Sequence, residues 1–451
     1  MKKNNLSENV NYSRRDFVRG SALLAGGLMV AGLPVGASAN VAGQSTIKVA
    51  LIGCGGRGTG AAVQTLRTGK DVKLVAMADA FKDRLDESYL AITNEIKTLG
   101  SNKKEQLGTI EVPEENRFVG FEAYQKAIAM ADVVILTTPP GFRPIHFEEA
   151  INQGKHVFME KPVAVDAPGV RKVLEVTRLS KQKKLNVVVG LQRRYQTKYR
   201  EVVKRLNGGA IGQIISGQVY WNNPGVWVKP RIHGQTEMEY QMRNWYYFNW
   251  LCGDHILEQH IHNIDVANWV IGEYPKTAQG MGGRQVRTGK EYGEIFDHHF
   301  VEFEYPGGAI ISSQCRHQPG CMDLVSEAFQ GTTGRSNTAD GTIHDLKGSV
   351  LLAHRERNDP NPYQVEIDEL FAAIRKSDKI INDAENGAFS TMSAVMGRMA
   401  TYSGQLINWD EALTSEMNIG PESYAWDALP PVLPDENGFY PIPTPGVTKV
   451  M

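Results

Sequence analysis

Apolar residues in the first part of the chain fall in short, nearly continuous runs that are separated by longer mixed segments. Runs of this kind are typical of strands that are buried on both faces of a parallel sheet. They predict strands at 47–52, 72–79, 132–138, 156–162 and 185–190. Helices are predicted between them, among others at 61–66, 148–155 and 167–183. This alternation predicts a doubly wound α/β domain over residues 46–190.

The pattern changes after residue 190. Strand-like runs occur at 213–221, 298–305 and 307–317, and a long helix is predicted at 386–405. A chain of 451 residues is longer than one core normally organises, so we assign residues 191–426 to a second α/β domain. Residues 427–451 are rich in proline, and we predict an extended tail that lies along another surface or subunit.

The first 39 residues have the pattern of an export signal. Arg14 and Arg15 precede an apolar stretch at 21–36, which is too short and too rich in glycine for a stable membrane span. Small residues at 37–39 predict a cleavage site. We therefore predict a twin-arginine signal peptide and a periplasmic protein that is exported folded and begins at about Asn40. An uncleaved membrane anchor is the alternative.

Composition excludes several classes of partner. The chain has 49 Lys and Arg against 50 Asp and Glu. It therefore lacks the excess of basic residues that would indicate binding to nucleic acid. Its four cysteines do not form the framework of a disulfide-rich protein. Cys315 and Cys321 are close enough in sequence for an oxidised pair, and the sequence leaves that pairing open.

A glycine-rich loop, GCGGRG, directly follows the first predicted strand and precedes a helix. This context indicates a dinucleotide-binding Rossmann fold. Gly53 permits the tight turn, Gly55 allows the backbone to approach the pyrophosphate, and Gly58 allows close packing of helix and strand. Gly56 and Arg57 lie in the same loop and are also predicted to contact the cofactor.

An acidic residue, Asp79, ends the second predicted strand. It lies at the spacing from the glycine loop at which a carboxylate binds the ribose 2′-hydroxyl, and it would repel a 2′-phosphate. NAD is therefore favoured over NADP, although Lys82 and Arg84 weaken that preference. An ordinary surface aspartate after a strand is the alternative.

Two later strands end in residues that we expect to face the same crevice. Thr138 ends one predicted strand and Pro139 follows it, and Glu160 and Lys161 lie at the end of the next. Because ligands of open parallel sheets bind at the carboxyl ends of the strands, we predict that these residues contact the cofactor.

The chain resembles the Gfo/Idh/MocA family of oxidoreductases. The likeness is carried by the glycine loop, by Asp79 and by three segments: 137–162, which ends in EKP, 187–195 (VVVGLQRRY), and 253–270 (GDHILEQHIHNIDVANWV). The family implies a Rossmann domain followed by an α/β domain with a large open, mainly antiparallel sheet, which often makes the oligomer contact. It also implies oxidation or reduction of sugars, cyclitols and their derivatives with NAD or NADP, and we expect a homo-oligomer.

The resemblance further implies which residues carry catalysis. In the family these are the lysine of the EKP motif and a helix with the pattern D-x-G-x-H-x-x-D. The matching positions are Lys161, Glu258, His262 and Asp265. Glu258 stands where aspartate is usual and His260 where glycine is usual, so the proton-transfer group is left open.

The polar residues of the segment 253–270 have helical spacing. Asp254, Glu258 and His262 recur every four residues and would share one helix face with Asp265. Alcohol oxidation needs a base for the hydroxyl proton, and His262 suits this because imidazole titrates near neutrality. Glu258 would orient it or relay the proton, and Lys161 would hold the substrate oxygen. Asp254 and Asp265 are predicted to face the substrate.

Two other interpretations of this segment stay open. His255, Glu258 and His262 include residue types that bind zinc, although the two histidines are not spaced as in a zinc helix. The same residues would also fit a hydrogen-bonded polar core. We predict no metal.

Aromatic and polar side chains alternate over residues 218–250. Flat rings beside amide and guanidinium donors suit a sugar, while an aromatic core or oligomer contact is an equal alternative. From this block we select Arg243 and Trp245 as substrate residues, and from the domain junction Arg194 and Tyr195.

These features predict an NAD-dependent oxidoreductase that acts on a sugar or glycoside hydroxyl. The cell envelope has no pool of free NAD, so we expect a tightly retained cofactor that a second substrate regenerates. One alternative is a glycoside hydrolase that uses transient oxidation and elimination, with no net redox change. The other is a sugar-binding protein without catalysis, against which the intact loop, Asp79, Lys161 and His262 argue.

Overall fold

The computed structural model describes residues 46–101, 106–355, 358–376 and 380–451. The predicted signal peptide at 1–39 lies outside the described residues. Among those that are described, no helix combines the length and the hydrophobicity needed to cross a membrane.

The first sheet has seven strands and a parallel core in the order β3-β2-β1-β5-β6-β7, with β4 paired to β2. Its strands are β1 (Ile47–Ile52), β2 (Val72–Asp79), β3 (Thr109–Ile110), β4 (Arg117–Val119), β5 (Val133–Leu136), β6 (His156–Met159) and β7 (Val187–Val189). Its helices are α1 (Gly56–Leu66), α2 (Lys82–Ser101), α3 (Ala123–Ala129), α4 (Arg143–Asn152) and α5 (Ala167–Gln182). The strand order reverses between β1 and β5, which opens a crevice at their carboxyl ends.

The second sheet has nine strands in the order β15-β14-β13-β12-β8-β11-β10-β9-β16. Within this second sheet, β8 and β11 are the only described pair of strands that run parallel. The sheet is therefore mainly antiparallel, as the resemblance implied. The strands are β8 (Ile214–Asn223), β9 (Thr277–Gly283), β10 (His298–Glu304), β11 (Ile310–His317), β12 (Leu324–Gly331), β13 (Gly334–Asn337), β14 (Thr342–Asp345), β15 (Val350–Ala353) and β16 (Ile407–Asn408).

Eight helices of the described residues follow β7: α6 (Thr197–Asn207), α7 (Glu237–Arg243), α8 (Asn249–Cys252), α9 (His255–Glu258), α10 (Ile261–Ile271), α11 (Pro362–Arg375), α12 (Ala384–Ser403) and α13 (Trp409–Thr414). Helices α10 and α12 cover one face of the second sheet, where Ile264 and Val395 pack with Phe303 and Ile311 in one apolar core. Burial of this face is a main source of stability for the second sheet.

The continuous helix expected over 253–270 is wrong, because the segment forms two helices, α9 and α10, that are separated at Gln259 and His260, and it also has a non-helical break at its start. The backbone leaves the helical conformation at Gly253, with φ of +77°, and at Asp254, with φ of +74°. The Asp254 carboxylate explains the break, because it accepts hydrogen bonds from the backbone N–H groups of His255 and Phe296 and from the Tyr402 hydroxyl. These contacts compensate for a backbone conformation that costs a non-glycine residue of order 1–3 kcal/mol.

Helix α11 returns to the first sheet, although it follows the strands of the second. Its residues Ile367, Leu370 and Phe371 pack in one buried cluster with Ile47 and Val49 of β1. Our assignment of all of 191–426 to the second domain did not anticipate this return.

The proline-rich tail lies along its own chain. The Tyr440 ring is buried against Phe248, with ring centroids 4.9 Å apart, and the Val432 carbonyl accepts a 2.7 Å hydrogen bond from the Gln241 amide. All four cysteines carry free thiols, so Cys315 and Cys321 are not bonded.

Candidate active site

A cavity of about 770 Å³ lies at the carboxyl ends of β1, β2, β5 and β6. Its opposite wall comes from the second sheet and from the segments before α10. The predicted residues that line it are Gly53, Gly55, Gly56, Arg57, Asp79, Thr138, Pro139, Glu160, Lys161, Arg243, Trp245, Glu258 and His262. The structure thus brings the predicted cofactor loop and the three predicted catalytic residues to one cavity.

The glycine loop has the shape that a dinucleotide requires. A Cβ atom at Gly53, where φ is +94°, would lie 2.5 Å from the Thr138 nitrogen. One at Gly58 would lie 2.0 Å from the Gly53 oxygen, so this glycine allows α1 to approach β1. A Cβ atom at Gly55 would meet no protein atom within 4 Å and would occupy cavity space instead. The backbone at Gly55 is therefore open to a pyrophosphate at the N-terminus of α1.

Asp79 supports the glycine loop and also faces the cavity. Its carboxylate accepts hydrogen bonds from the backbone N–H groups of Cys54 (2.6 Å) and Phe81 (2.9 Å). Burial raises the pKa of Asp79, and these two donors oppose that shift. A carboxylate has about four lone-pair positions, so two remain for the hydroxyls of a ribose.

Arg57 connects α1 with the residues after β6 and with α11. Its Nε atom donates to Glu160 (2.5 Å), its Nη2 atom donates to Glu366 of α11 (3.0 Å), and its guanidinium lies 4.6 Å from the centre of the Tyr363 ring. Sequence reasoning missed Glu366 and Tyr363 because nothing local to α11 indicates that it packs beside the loop. Their contacts fix the position of Arg57 at the cavity wall.

Lys161 and Glu258 form an ion pair across the cavity. Lys161 Nζ lies 3.0 Å from Glu258 Oε1 and also donates to the Glu258 carbonyl oxygen. The two side chains are only 12% and 16% exposed, so the pair is screened less than a surface ion pair. The buried Tyr246 hydroxyl lies next to Glu258, and burial together with the charge of that carboxylate raises the pKa of the tyrosine well above its usual value.

His262 is buried in the wall beside this pair. Its ring stacks on Trp221 with centroids 5.8 Å apart, and its Nδ1 atom has no hydrogen-bond partner in the described part of the chain. Burial lowers the pKa of His262 well below its usual value, and the positive charges of Lys161 and Arg193 add to this shift. The imidazole is therefore neutral at physiological pH, and it is a weaker base than a free histidine, which the prediction from the ordinary pKa of imidazole did not anticipate.

Arg243 and Trp245 join the cavity from the aromatic segment. Arg243 donates to Asp83 (2.8 Å), and its guanidinium lies 4.0 Å from the centre of the Phe81 ring, so it connects α7 with α2 beside the crevice. Trp245 packs edge-on against Trp227, which also lines the cavity. Most other rings of the segment, such as Tyr247, form a buried aromatic cluster, so both interpretations of this segment apply in part.

Four residues that we predicted to meet the substrate do not line the cavity. Arg194 and Asp265 form a bidentate ion pair, and Tyr195 donates to Asp383. Asp254 is fully buried at the break before α9. Each of these side chains is held by partners that are distant in sequence, and its polar groups stabilise the scaffold instead.

The residues considered for a metal do not converge. Glu258 and His262 line the cavity, whereas the fully buried His255 donates from Nδ1 to Asp254 at 2.7 Å. In the described part of the chain, Asp254, His255 and His299 form the one group of three possible metal ligands whose donor atoms all lie within 4.8 Å of one another. Hydrogen bonds from the backbone, His255 and Tyr402 already occupy the Asp254 oxygens.

We predict that the Gly55→Val variant folds but loses its nucleotide. The added methyl groups would occupy the space of the pyrophosphate and weaken binding by at least about a hundredfold. The measurement is the nucleotide released per chain from purified protein, together with the melting temperature. Gly58→Ala is the matched control, because its Cβ atom would collide with the backbone and lower the melting temperature. Full nucleotide content in Gly55→Val would contradict the assignment of the loop.

Two family models match the chain. An oxidoreductase model described as an NAD-binding Rossmann fold matches residues 47–191, which confirms the predicted Rossmann fold. A Gfo/Idh/MocA C-terminal domain model matches residues 199–321. Both lie within the described fold, one on each sheet.

Curated relatives are distant. Inositol 2-dehydrogenase of Rhizobium meliloti is 24% identical over 322 residues, which cover 71% of this chain and 78% of that enzyme. The 2,7-anhydro-N-acetylneuraminate hydratase of Escherichia coli is 25% identical over 183 residues, 41% of this chain and 45% of that enzyme.

Solved structures share the fold. Aldose-aldose oxidoreductase from Caulobacter crescentus has a TM-score of 0.60 and 17% identity, with 80% of this chain and 99% of that chain covered. Scyllo-inositol dehydrogenase from Lactobacillus casei, with bound NAD(H) and scyllo-inositol, has a TM-score of 0.58 and 19% identity over 81% of this chain and 99% of that chain. By its two matched domains and its fold, the chain belongs to the Gfo/Idh/MocA family of oxidoreductases.

Proposed function

We propose that this protein is an NAD-dependent oxidoreductase that acts on a hydroxyl group of a sugar, glycoside or cyclitol. The observation that carries the proposal is the convergence of Lys161, Glu258 and His262 in the cavity that the glycine loop lines. The names of the relatives, which include inositol dehydrogenases and an aldose oxidoreductase, support a polyhydroxylated substrate.

Bound NAD would supply the hydride acceptor in this cavity. His262 is the proposed acceptor of the hydroxyl proton because its neutral ring lines the cavity with Lys161, although its lowered pKa makes it a weaker base than free imidazole. The Lys161 ammonium would stabilise the negative charge that develops on the substrate oxygen. Glu258 holds Lys161 at 3.0 Å before substrate binds, and a substrate oxygen would compete for that ammonium.

The walls of the cavity suit a sugar ring. Trp221, Trp227 and Trp245 present flat apolar faces, and Arg243 and Lys229 add donors near them. A pyranose or cyclitol has apolar ring faces and a hydroxylated rim, which match these two kinds of surface.

We further propose that the cofactor is retained during turnover. The twin-arginine pattern at Arg14 and Arg15 supports this proposal, because a protein exported to the periplasm would have no supply of free NAD. A second carbonyl substrate would then re-oxidise the nucleotide in the same cavity. A homo-oligomer that forms through the second sheet belongs to the same proposal.

A hydrolase is the second candidate, because the cavity contains more than one proton-transfer group. Elimination of a glycosidic bond after transient oxidation needs a base at carbon and an acid at the leaving group. Glu258 and His262 would fill these two roles.

The test uses the mature protein purified without added cofactor. We expect nucleotide release on denaturation and a stable keto-sugar when a panel of sugars, cyclitols and glycosides is supplied with a carbonyl acceptor. Aglycone release without net NADH would instead identify the hydrolase. A protein that neither contains nor binds a nicotinamide nucleotide would exclude both and favour a sugar-binding role.

A further inference from the structure

One cavity residue, Gln259, is contacted from behind by a buried histidine. Gln259 lies between Glu258 and His262 in the chain, and it lines the cavity with them. Its Oε1 atom is 2.7 Å from Nε2 of His317, the last residue of β11, which is fully buried. The Gln259 amide nitrogen has no protein partner among the described hydrogen bonds, whereas its oxygen is engaged.

The surroundings of His317 fix the position of its proton. Its Nδ1 atom is buried and has no hydrogen-bond partner among the described residues, so a proton on Nδ1 would be a buried, unpaired N–H group. Such groups are rare because they cost about 1–3 kcal/mol. The proton therefore resides on Nε2, which donates it to Gln259.

Two stacked rings hold the His317 imidazole in place. Its centroid lies 4.3 Å from that of His255 and 5.8 Å from that of Tyr246, with interplanar angles of 27° and 29°. Burial, followed by the charges of His255 and Arg287, lowers the pKa of His317 well below its usual value. A neutral ring with one defined proton is consistent with this environment.

We propose that His317 fixes the Gln259 amide with its oxygen toward β11 and its NH₂ group toward the cavity, where it donates to a substrate oxygen. Gln259 would then be a substrate-binding residue and His317 a positioning residue. The proposal rests on the proposed function, since the substrate is taken to be polyhydroxylated. At this part of the cavity wall, Gln259 would donate a hydrogen bond to the substrate, whereas the neighbouring Glu258 and His262 would accept.

The orientation has a consequence for specificity. A vicinal diol offers one oxygen whose proton His262 would take and a second, adjacent oxygen that can accept from Gln259. An analogue that lacks the second oxygen would leave the amide donor unpaired, and a site built to donate discriminates strongly against such an analogue. We therefore expect deoxy sugars or deoxy cyclitols to bind more weakly than the parent compounds.

Three single variants test this pair. His317→Phe keeps the stacked ring but removes the donor, and we expect KM to rise about tenfold while kcat changes less than threefold. His317→Gln restores a donor at similar reach and is expected to restore most of the lost affinity. Gln259→Leu should raise KM as much as His317→Phe does. All three should retain the nucleotide content of the wild type. His317→Phe and His317→Gln should also keep its melting temperature, whereas Gln259→Leu should lower it because the buried Nε2–H group of His317 loses its acceptor.

The double variant His317→Phe/Gln259→Leu distinguishes positioning from a general structural effect. If His317 acts through Gln259, the double variant binds substrate no worse than either single variant. Additive losses, or a His317→Phe enzyme with the wild-type KM, would overturn the proposal. Loss of turnover in the wild type on every sugar would count against the proposed function instead.

A second measurement does not depend on turnover. Nitrogen-15 NMR of histidine-labelled full-length protein reports which ring nitrogen carries the proton, and His317→Phe assigns the signal. We expect a neutral ring protonated at Nε2. Protonation at Nδ1, or a charged ring, would overturn the orientation whether or not a substrate has been found.

Discussion

The Lys161→Ala variant is expected to lose turnover by about a thousandfold while it keeps its fold and its nucleotide. The ammonium lies in the cavity wall between the glycine loop and His262, where it would stabilise the developing negative charge on the substrate oxygen. Removal of one such preorganised group typically costs 10²–10³-fold in kcat, or more when proton transfer is also affected. The measurement is kcat at saturating substrate, with melting temperature and nucleotide content determined on the same preparation.

The control for Lys161→Ala measures the effect of the unpaired Glu258 carboxylate that this variant leaves in the cavity. Glu258 loses its partner in Lys161→Ala, so part of the loss would come from an unpaired carboxylate and not from the missing ammonium. The double variant Lys161→Met/Glu258→Gln removes both charges and keeps a side chain of similar length at each position. If it recovers activity, the ammonium is not required for the reaction. Full activity in Lys161→Ala alone would refute the assigned role directly.

Local patterns were sufficient to predict five of the seven strands of the first sheet, and only the short edge strands β3 and β4 were missed. The predicted strands 47–52 and 72–79 have the same bounds as β1 and β2, because a strand buried on both faces differs clearly in composition from the helices beside it. The glycine loop was equally predictable, since Gly53 and Gly58 are required by the backbone itself. Because ligands of parallel sheets bind at the carboxyl ends of the strands, the position of Lys161 after a strand predicted that it faces the cavity.

The break at Gly253 and Asp254 could not be predicted in the same way. A helix was favoured by the four-residue spacing of polar side chains, but the Tyr402 hydroxyl and the Phe296 N–H group bind the Asp254 carboxylate from elements more than 40 residues away. Such contacts override local preference. The packing of α11 on the first sheet was not anticipated for the same reason, because no local signal in this helix identifies the sheet that it contacts.

The substrate residues show a related ambiguity. Polar side chains on one helix face have the same spacing whether they face a ligand or a buried partner. Asp265 and Arg194 were assigned to the substrate, yet they pair with each other, and Ser390 of α12 donates a further hydrogen bond to Asp265. Gln259 and His317 were missed because no local signal relates them.

Asp265→Ala is expected to destabilise the protein strongly, not to affect catalysis directly. Asp265 is 1% exposed and accepts hydrogen bonds from Nε and Nη2 of Arg194, each 2.8 Å long, and from the Ser390 hydroxyl at 2.7 Å. Its removal leaves the 16% exposed Arg194 guanidinium without its carboxylate. Loss of one partner of a buried pair costs about 3–5 kcal/mol, which should lower the denaturant midpoint of unfolding clearly.

The double variant Arg194→Met/Asp265→Leu distinguishes a role of this ion pair in stability from a role of Asp265 in substrate binding. Replacing both charges with apolar side chains removes the unpaired charge, so we expect it to recover most of the stability that Asp265→Ala loses. The protein that remains folded should keep a kcat close to that of the wild type, because neither side chain lines the cavity. If Asp265→Ala instead unfolds at the wild-type denaturant concentration and loses turnover, Asp265 belongs to the substrate after all. The helix face that carries His262 would then have to move toward the cavity when substrate binds.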